Sequence, residues 1–149
     1  MQSVLSWKAT KVKKGESKAA SQLLSASGLP IGGLDDAELW YAKEEGGRII
    51  GLAGLETWGR QGLLRSVAVR KGRRKAGVGT SLVRRVISEA RTKGIREVYL
   101  ITETAPLFFE RLGFSAVDRS RVTGDVLNPV EFKEACSESA PVMRIDLRT

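Results

Sequence analysis

Five cations fall within one short stretch, Arg70, Lys71, Arg73, Arg74 and Lys75, and Gly77 and Gly79 follow them. Backbone amides bared by missing side chains, beside clustered positive charge, suit an anion with closely spaced phosphates such as a pyrophosphate. As a bare pattern, a solvated turn before a surface helix accounts for it slightly better. A second pair stands out against its surroundings. Glu56 and Arg65 are the only charged residues in the apolar stretches LAGLE and LLRSVAV. A guanidinium beside a carboxylate matches the carboxylate and ammonium of an α-amino acid group for group. Arg65 would clamp the substrate carboxylate, while Glu56 would orient the ammonium and accept its proton. The plain alternative is a structural salt bridge.

Other chemistry is excluded. The chain has no histidine, which removes imidazole bases, the usual triads and most zinc sites. Its single cysteine, Cys136, forms no internal disulfide and no metal cage; a buried structural thiol is its expected state.

Positioning the basic loop falls to a strand before it and a helix after it. Leu63 to Val69 is an apolar run of strand length with β-branched valines. Val78, Leu82, Val83, Val86, Ile87 and Ala90 then recur at helical spacing, and Gly94 sits where a C-terminal cap belongs. No Ser, Thr, Asp or Asn precedes Val78, so the first helical amides lack an obvious cap. Ile95 to Thr102 is the next strand, and the strand–helix–strand order places it parallel to the Leu63 strand.

Upstream, Val4 to Val12 reads as an edge strand, and Ala19, Leu23 and Leu24 follow helical spacing. A loop from Ser25 to Asp36 leads to a hairpin, Leu39 to Lys43 and Arg48 to Trp58, turning at EEGG. Gly51 and Gly54 mark a bulge or a close neighbour. A turn centred between Arg60 and Gln61 would set Glu56 directly opposite Arg65. Downstream, Thr104 can cap a helix with Pro106 near its start and Gly113 at its end. Phe114 to Val117 is a strand, a short helix is expected near Asn128 to Phe132, and Pro141 to Leu147 alternates as a final strand. No repeat or second domain is visible, so residues 1–149 read as one domain.

Composition agrees with a globular chain: 42% hydrophobic and 28% charged residues. The net charge of +8 would suit nucleic acid, but much of it lies in the loop and helix, and no aromatics interleave Arg84, Arg85, Arg91 and Arg96 for base stacking. No apolar run reaches membrane-spanning length, the amino terminus lacks a signal-peptide core, and a cytoplasmic protein is expected.

RKAGVG, directly after its strand, resembles the first signature of the GNAT (GCN5-related) N-acetyltransferase superfamily. APLFFERLGF, Ala105 to Phe114, resembles the second, and the likeness covers Leu5 to Leu147. LLRSVAV, VYLITETAPLFFERLGF and EFKEACSESAPVMRIDL are together similar to a subgroup associated with arsenic-resistance gene clusters and to the acetyltransferase domain of N-acetylglutamate synthases. The tail departs from that subgroup's Cys-Pro order, since Ser137 follows Cys136.

The resemblance implies an α/β GNAT fold: a mixed, mostly antiparallel sheet with a central splayed parallel strand pair and flanking helices. It implies acetyl-CoA as co-substrate, no metal, and main-chain amides at Val67, Ala68 and Val69 facing the thioester, with Val69 polarising its carbonyl. Arg74, Lys75, Ala76, Gly77, Val78, Gly79 and Thr80 would hold the pyrophosphate. Thr102, Phe108, Phe109 and Arg111 would line the pantetheine arm.

Two departures matter. Phe109 stands where many relatives place a proton-donating tyrosine, and Leu63 where others carry a glutamate base. The expected activity is transfer of an acetyl group to the amine of a small amino-acid-like acceptor by direct attack in a ternary complex. Alternatives are a protein N-terminal or lysine acetyltransferase and a non-catalytic CoA-binding module. Neither nucleic acid nor membrane is an expected partner, and a homodimer is compatible with the resemblance.

Overall fold

The computed structural model describes residues 7–12, 17–26, 37–44, 46–73, 77–102, 105–124, 126 and 140–148. The elements run β1 (Trp7–Lys11), α1 (Ser17–Ala26), β2 (Glu38–Glu44), β3 (Ile49–Trp58), β4 (Gln61–Val69), α2 (Val78–Thr92), β5 (Glu97–Ile101), α3 (Pro106–Arg111), β6 (Ser115–Val117) and β7 (Val142–Asp146). Seven strands form one sheet in the order β1-β2-β3-β4-β5-β7-β6. Only β4 and β5 pair in parallel; the other neighbours are antiparallel. This is the mixed, mostly antiparallel architecture expected. The short helix expected near Asn128 lies outside the described residues.

One face of the sheet carries α2. Its buried Val78, Leu82, Val83, Val86 and Ala90 meet Ile50, Ala53 and Leu55 of β3, Leu64 of β4, and Val98 and Leu100 of β5. Each large side chain so buried contributes about 1.5–3 kcal/mol. Gly51 sets how close the helix comes. A Cβ there would lie 2.8 Å from both Leu82 Cδ1 and Val78 Cγ1, so any side chain would push α2 off the sheet. Gly94, with φ of 80°, lets the chain leave the helix in the left-handed conformation expected of its place.

The opposite face holds two separate clusters. Leu23 and Leu24 of α1 cover Leu39, Tyr41, Leu52 and Ala68, while Leu63, Tyr99 and Val142 pack with Val122 and Val126. Side-chain alternation puts Glu56 and Arg65 on this face, between the two clusters.

The β3–β4 turn is tighter than the sequence reading placed it. Trp58 pairs with Gln61, leaving Gly59 and Arg60 as the loop, and Gly59 supplies the positive φ (57°) that a two-residue hairpin favours. Moving the turn centre back by one residue moves each partner by two. Glu56 therefore pairs with Leu63 and Arg65 with Gly54. The direct opposition expected of Glu56 and Arg65 is corrected to a diagonal one.

Candidate active site

The parallel ladder is short. Gln61, Gly62 and Leu63 pair with Glu97, Val98 and Tyr99, and there it stops. Beyond that point β4 stays with β3 as far as Val69, and β5 stays with β7 as far as Ile101. The two central strands thus part from each other and leave a wedge-shaped opening in the sheet. Peptide groups of β4 that would have bonded β5 face this opening.

The separation coincides with an irregularity in β4. The register shifts between Leu52 and Gly54, so that Ser66 and Val67 stand opposite Ala53 alone. An extra residue bends a strand and increases its local twist. Ser66 takes φ of 60°, the only non-glycine with positive φ among the described residues. For a residue with a Cβ, that conformation costs about 1–2 kcal/mol. Nothing in LLRSVAV marks it beforehand, because serine is not a residue that announces a left-handed turn.

The mouth of α2 opens beside this wedge. Gly77 precedes the helix with φ 80° and ψ 9°, and no side chain caps the first turn. Gly77 is exposed, with open space where a Cβ would be, so its role is the left-handed backbone. Gly79 serves otherwise. A Cβ on Gly79 would lie 3.2 Å from the Phe108 ring and 3.4 Å from Val69 Cγ2. Its missing side chain makes room for the protein itself, and not for a ligand. Val78 is fully buried, its side chain in the core. Arg74, Lys75 and Ala76 lie outside the described residues. Arg70, one of the five cations, is tied down: its Nε donates to the Ile49 carbonyl at 3.1 Å and its amide to Ile50 at 2.7 Å.

These two glycines yield distinct expectations. Gly79→Val should lower stability by about 1–3 kcal/mol through overpacking against Phe108. Gly77→Val meets no neighbour but must hold φ of 80°, which costs about 1–2 kcal/mol, and should in addition weaken CoA binding by distorting the first amides of α2. Urea titration and the thermal shift on adding CoA separate the two effects. Equal stability losses with unchanged CoA shifts would contradict this division.

On α3, Phe109 is a core residue, packed edge-on between Phe108 (centroids 5.0 Å apart) and Phe114 (5.9 Å). Phe109 thus stands in the core, while Phe108 meets Gly79 at the helix mouth. Thr102 is buried, and its hydroxyl accepts from the Ala105 amide at 3.0 Å. Thr102 thus steadies the entry to α3, a role the sequence reading gave to Thr104, which lies outside the described residues. Arg111 is exposed in the last turn of α3.

Glu56 and Arg65 do meet. Arg65 Nη1 donates to Glu56 Oε2 at 3.0 Å, and Arg65 Nε donates to Ser66 Oγ at 3.1 Å. The two side chains are only 1% and 6% exposed. Arg65 crosses Gly54, whose absent Cβ would come within 3.6 Å of its Cγ. The pair lies within the sheet on its two central antiparallel strands, away from either edge.

Neither tyrosine lies on α3. Tyr41 is buried under α1, and Tyr99 points its hydroxyl to Glu97 Oε2, 3.4 Å away at the closed end of the wedge. Burial, and then the neighbouring Glu97 carboxylate, raise the Tyr99 pKa above its ordinary value. The unfolded phenol therefore ionises first. The stability contribution is full below the unfolded value of about 10 and is lost as pH rises through the folded pKa. Ionisation of Tyr99 in the native protein, followed by phenolate absorbance, should accordingly lag that in the denatured chain.

A family model described as an acetyltransferase (GNAT) domain matches residues 35–116. An amino-acid acetyltransferase of Mycobacterium tuberculosis is 32% identical over 103 residues, which are 66% of this chain and 55% of that protein. The chain therefore spans about half the length of that curated relative. Among solved structures, a Mycobacterium tuberculosis protein in complex with CoA and NLQ superposes with a TM-score of 0.80 at 22% identity, covering 94% of this chain and 99% of the other. N-acetylglutamate synthase from Neisseria gonorrhoeae, complexed with coenzyme A and N-acetyl-glutamate, gives 0.78 at 17% identity, over 100% of this chain and 36% of that one. At these identities the structural likenesses establish the fold. Among the described residues, no helix is long and apolar enough to cross a membrane.

Proposed function

Because this chain belongs to the GNAT acetyltransferase family, we propose that it transfers the acetyl group of acetyl-CoA to the amine of a small amino-acid-like acceptor, by direct attack in a ternary complex. The observation that carries this reading is the wedge between β4 and β5, with the uncapped start of α2 beside it. The fit to a CoA ester is physical. Amides at a helix N-terminus without a side-chain cap suit its pyrophosphate, and a narrow gap between strands suits a thin pantetheine arm.

Acetyl-CoA supplies an activated acyl group on a thiol leaving group. The chain supplies position and charge. Gly77, Val78, Gly79 and Thr80 would present backbone amides to the pyrophosphate, with Arg74, Lys75 and Ala76 completing the loop. Backbone amides of Val67 to Val69 would polarise the thioester carbonyl, stabilising the charge that develops on its oxygen. Phe108 would border the pantetheine at the α2 mouth.

On the opposite face, the acceptor would exchange partners with the buried pair. Its carboxylate replaces Glu56 at the Arg65 guanidinium, and its ammonium replaces Arg65 at Glu56. Neither charge is then left alone in the interior, which makes the exchange feasible. Glu56 would next take the amine proton. A thiol pKa of about 8.5 allows the thiolate to leave without a side-chain acid, in keeping with Phe109 where relatives have tyrosine. The M. tuberculosis amino-acid acetyltransferase and the N-acetyl-glutamate-bound synthase support an acceptor of this class.

Thiol release from acetyl-CoA, measured with the twenty amino acids, amine-bearing analogues and lysine or N-terminal peptides, tests the reading. Rate enhancement by one or more free amino acids is expected. Response to peptides alone would move the assignment to a protein acetyltransferase. Phe109 in the tyrosine's place and the lack of histidine favour the second reading, a non-catalytic CoA-binding module; CoA stabilisation without thiol release from any amine would establish that instead.

A further inference from the structure

Serine 66 sits where three features coincide: the extra residue in β4, the parting from β5 and the buried Glu56–Arg65 pair. Every other positive φ among the described residues belongs to glycine: Gly46, Gly47, Gly59, Gly77, Gly94, Gly113 and Gly124. Glycine would adopt φ of 60° with less strain than serine. What serine adds is a hydroxyl, and that hydroxyl is in use. It is buried and accepts from Arg65 Nε at 3.1 Å, while the same guanidinium donates from Nη1 to Glu56 at 3.0 Å.

Adjacent residues in a regular strand point to opposite faces. Residues 65 and 66 could not bond each other in that geometry. The left-handed turn at Ser66 brings its hydroxyl round to the Arg65 side, so the bulge and the bond depend on each other. Past the bulge, β4 rejoins β3 with Ala68 opposite Leu52. The peptide groups of Val67 and Ala68 take their direction from this turn.

We propose that Ser66 is a positioning residue that links Arg65 to the backbone amides facing the wedge. The inference rests on the acetyltransferase reading above and deepens it. An acceptor carboxylate that engages Arg65 then acts on the same guanidinium that holds the bulge. Occupancy of the acceptor site is thereby coupled to the aim of the amides on the thioester carbonyl.

The test compares wild type with Ser66→Ala, Ser66→Gly, Arg65→Lys and the Arg65→Lys/Ser66→Ala double variant. The readouts are kcat and KM for the best amino acid from the panel, with CoA affinity by calorimetry. Misalignment of a reacting group by about 1 Å lowers rate by up to about a hundredfold. Ser66→Ala and Ser66→Gly should each lower kcat by about tenfold to a hundredfold, with CoA affinity unchanged within about twofold. Lysine has no Nε–H of guanidinium type, so adding Ser66→Ala to Arg65→Lys should change kcat by less than about twofold. Wild-type kcat in Ser66→Gly would mean that only backbone conformation matters, and would overturn the inference while the reading stands. Independent, multiplicative losses in the double variant would overturn it too. If wild type acetylates no amine, the reading fails and the inference falls with it.

Discussion

Arg65→Met, with Glu56 retained, is expected to lower folding stability by about 3–5 kcal/mol. The two side chains are 1% and 6% exposed and bond to each other at 3.0 Å, so removing the guanidinium leaves a carboxylate in the interior without its partner. Desolvation has already been incurred by both groups, and the mutual attraction is what offsets it. Methionine fills much of the space of the arginine stem, which keeps the lost term electrostatic and not a cavity. The double variant Arg65→Met/Glu56→Leu removes both charges and should recover most of the loss, since an apolar replacement of a buried pair is often neutral. Urea titration of the single and double variants gives both values. A single-variant loss below about 1 kcal/mol would be the behaviour of a solvent-exposed pair, and would contradict the burial described.

The second large effect is kinetic. Glu56→Gln preserves shape and an oxygen that can accept from Arg65, but it cannot take a proton. Loss of a general base lowers rate by about a hundredfold to ten-thousandfold. The deficit should be greatest below the pKa of the acceptor amine, where the amine arrives protonated, and should shrink as pH rises past it. CoA affinity should remain, because the α2 mouth lies on the other face of the sheet from Glu56. A purely structural Glu56 predicts a different profile: activity lost in proportion to the unfolded fraction, alike at every pH. Measuring kcat across pH on variant protein verified as folded separates the two. Arg65→Lys completes the comparison. It keeps the charge without the bidentate fork, so it should raise the KM for the amino acid.

Why these residues could be found, while their arrangement could not, follows from the range of the interactions involved. The α2 stripe was legible because helical periodicity is a local property: the structure buries Val78, Leu82, Val83, Val86 and Ala90, and packs the partly buried Ile87 against the same core. The terminal Gly94 was legible for the same reason, since it depends on a few neighbouring residues, whereas Gly77 was read for its missing side chain and its left-handed backbone came from the structure. Glu56 and Arg65 were conspicuous as charges within apolar stretches, and a structure that buries such charges must pair them.

Their register was not local. Placing the hairpin loop at Gly59 and Arg60 shifts each cross-strand partner by two positions, and a shift of two keeps both side chains on one face. That is why the pair still meets, diagonally, although the expected register was wrong. Phe108 and Phe109 read alike in APLFFERLGF; only the packing of α3 against Phe114 and Gly79 decided which enters the core and which reaches the mouth of α2. Gly79 likewise looked like a ligand-side glycine until Phe108 came to lie over it. The sequence alone determined the family signatures, the helices that follow or carry them and the two charges within the apolar strands. Tertiary structure decided the left-handed turn at Ser66 and the parting of β4 from β5. A strained serine and a broken ladder persist only when distant packing holds them, and no short-range residue preference records that support.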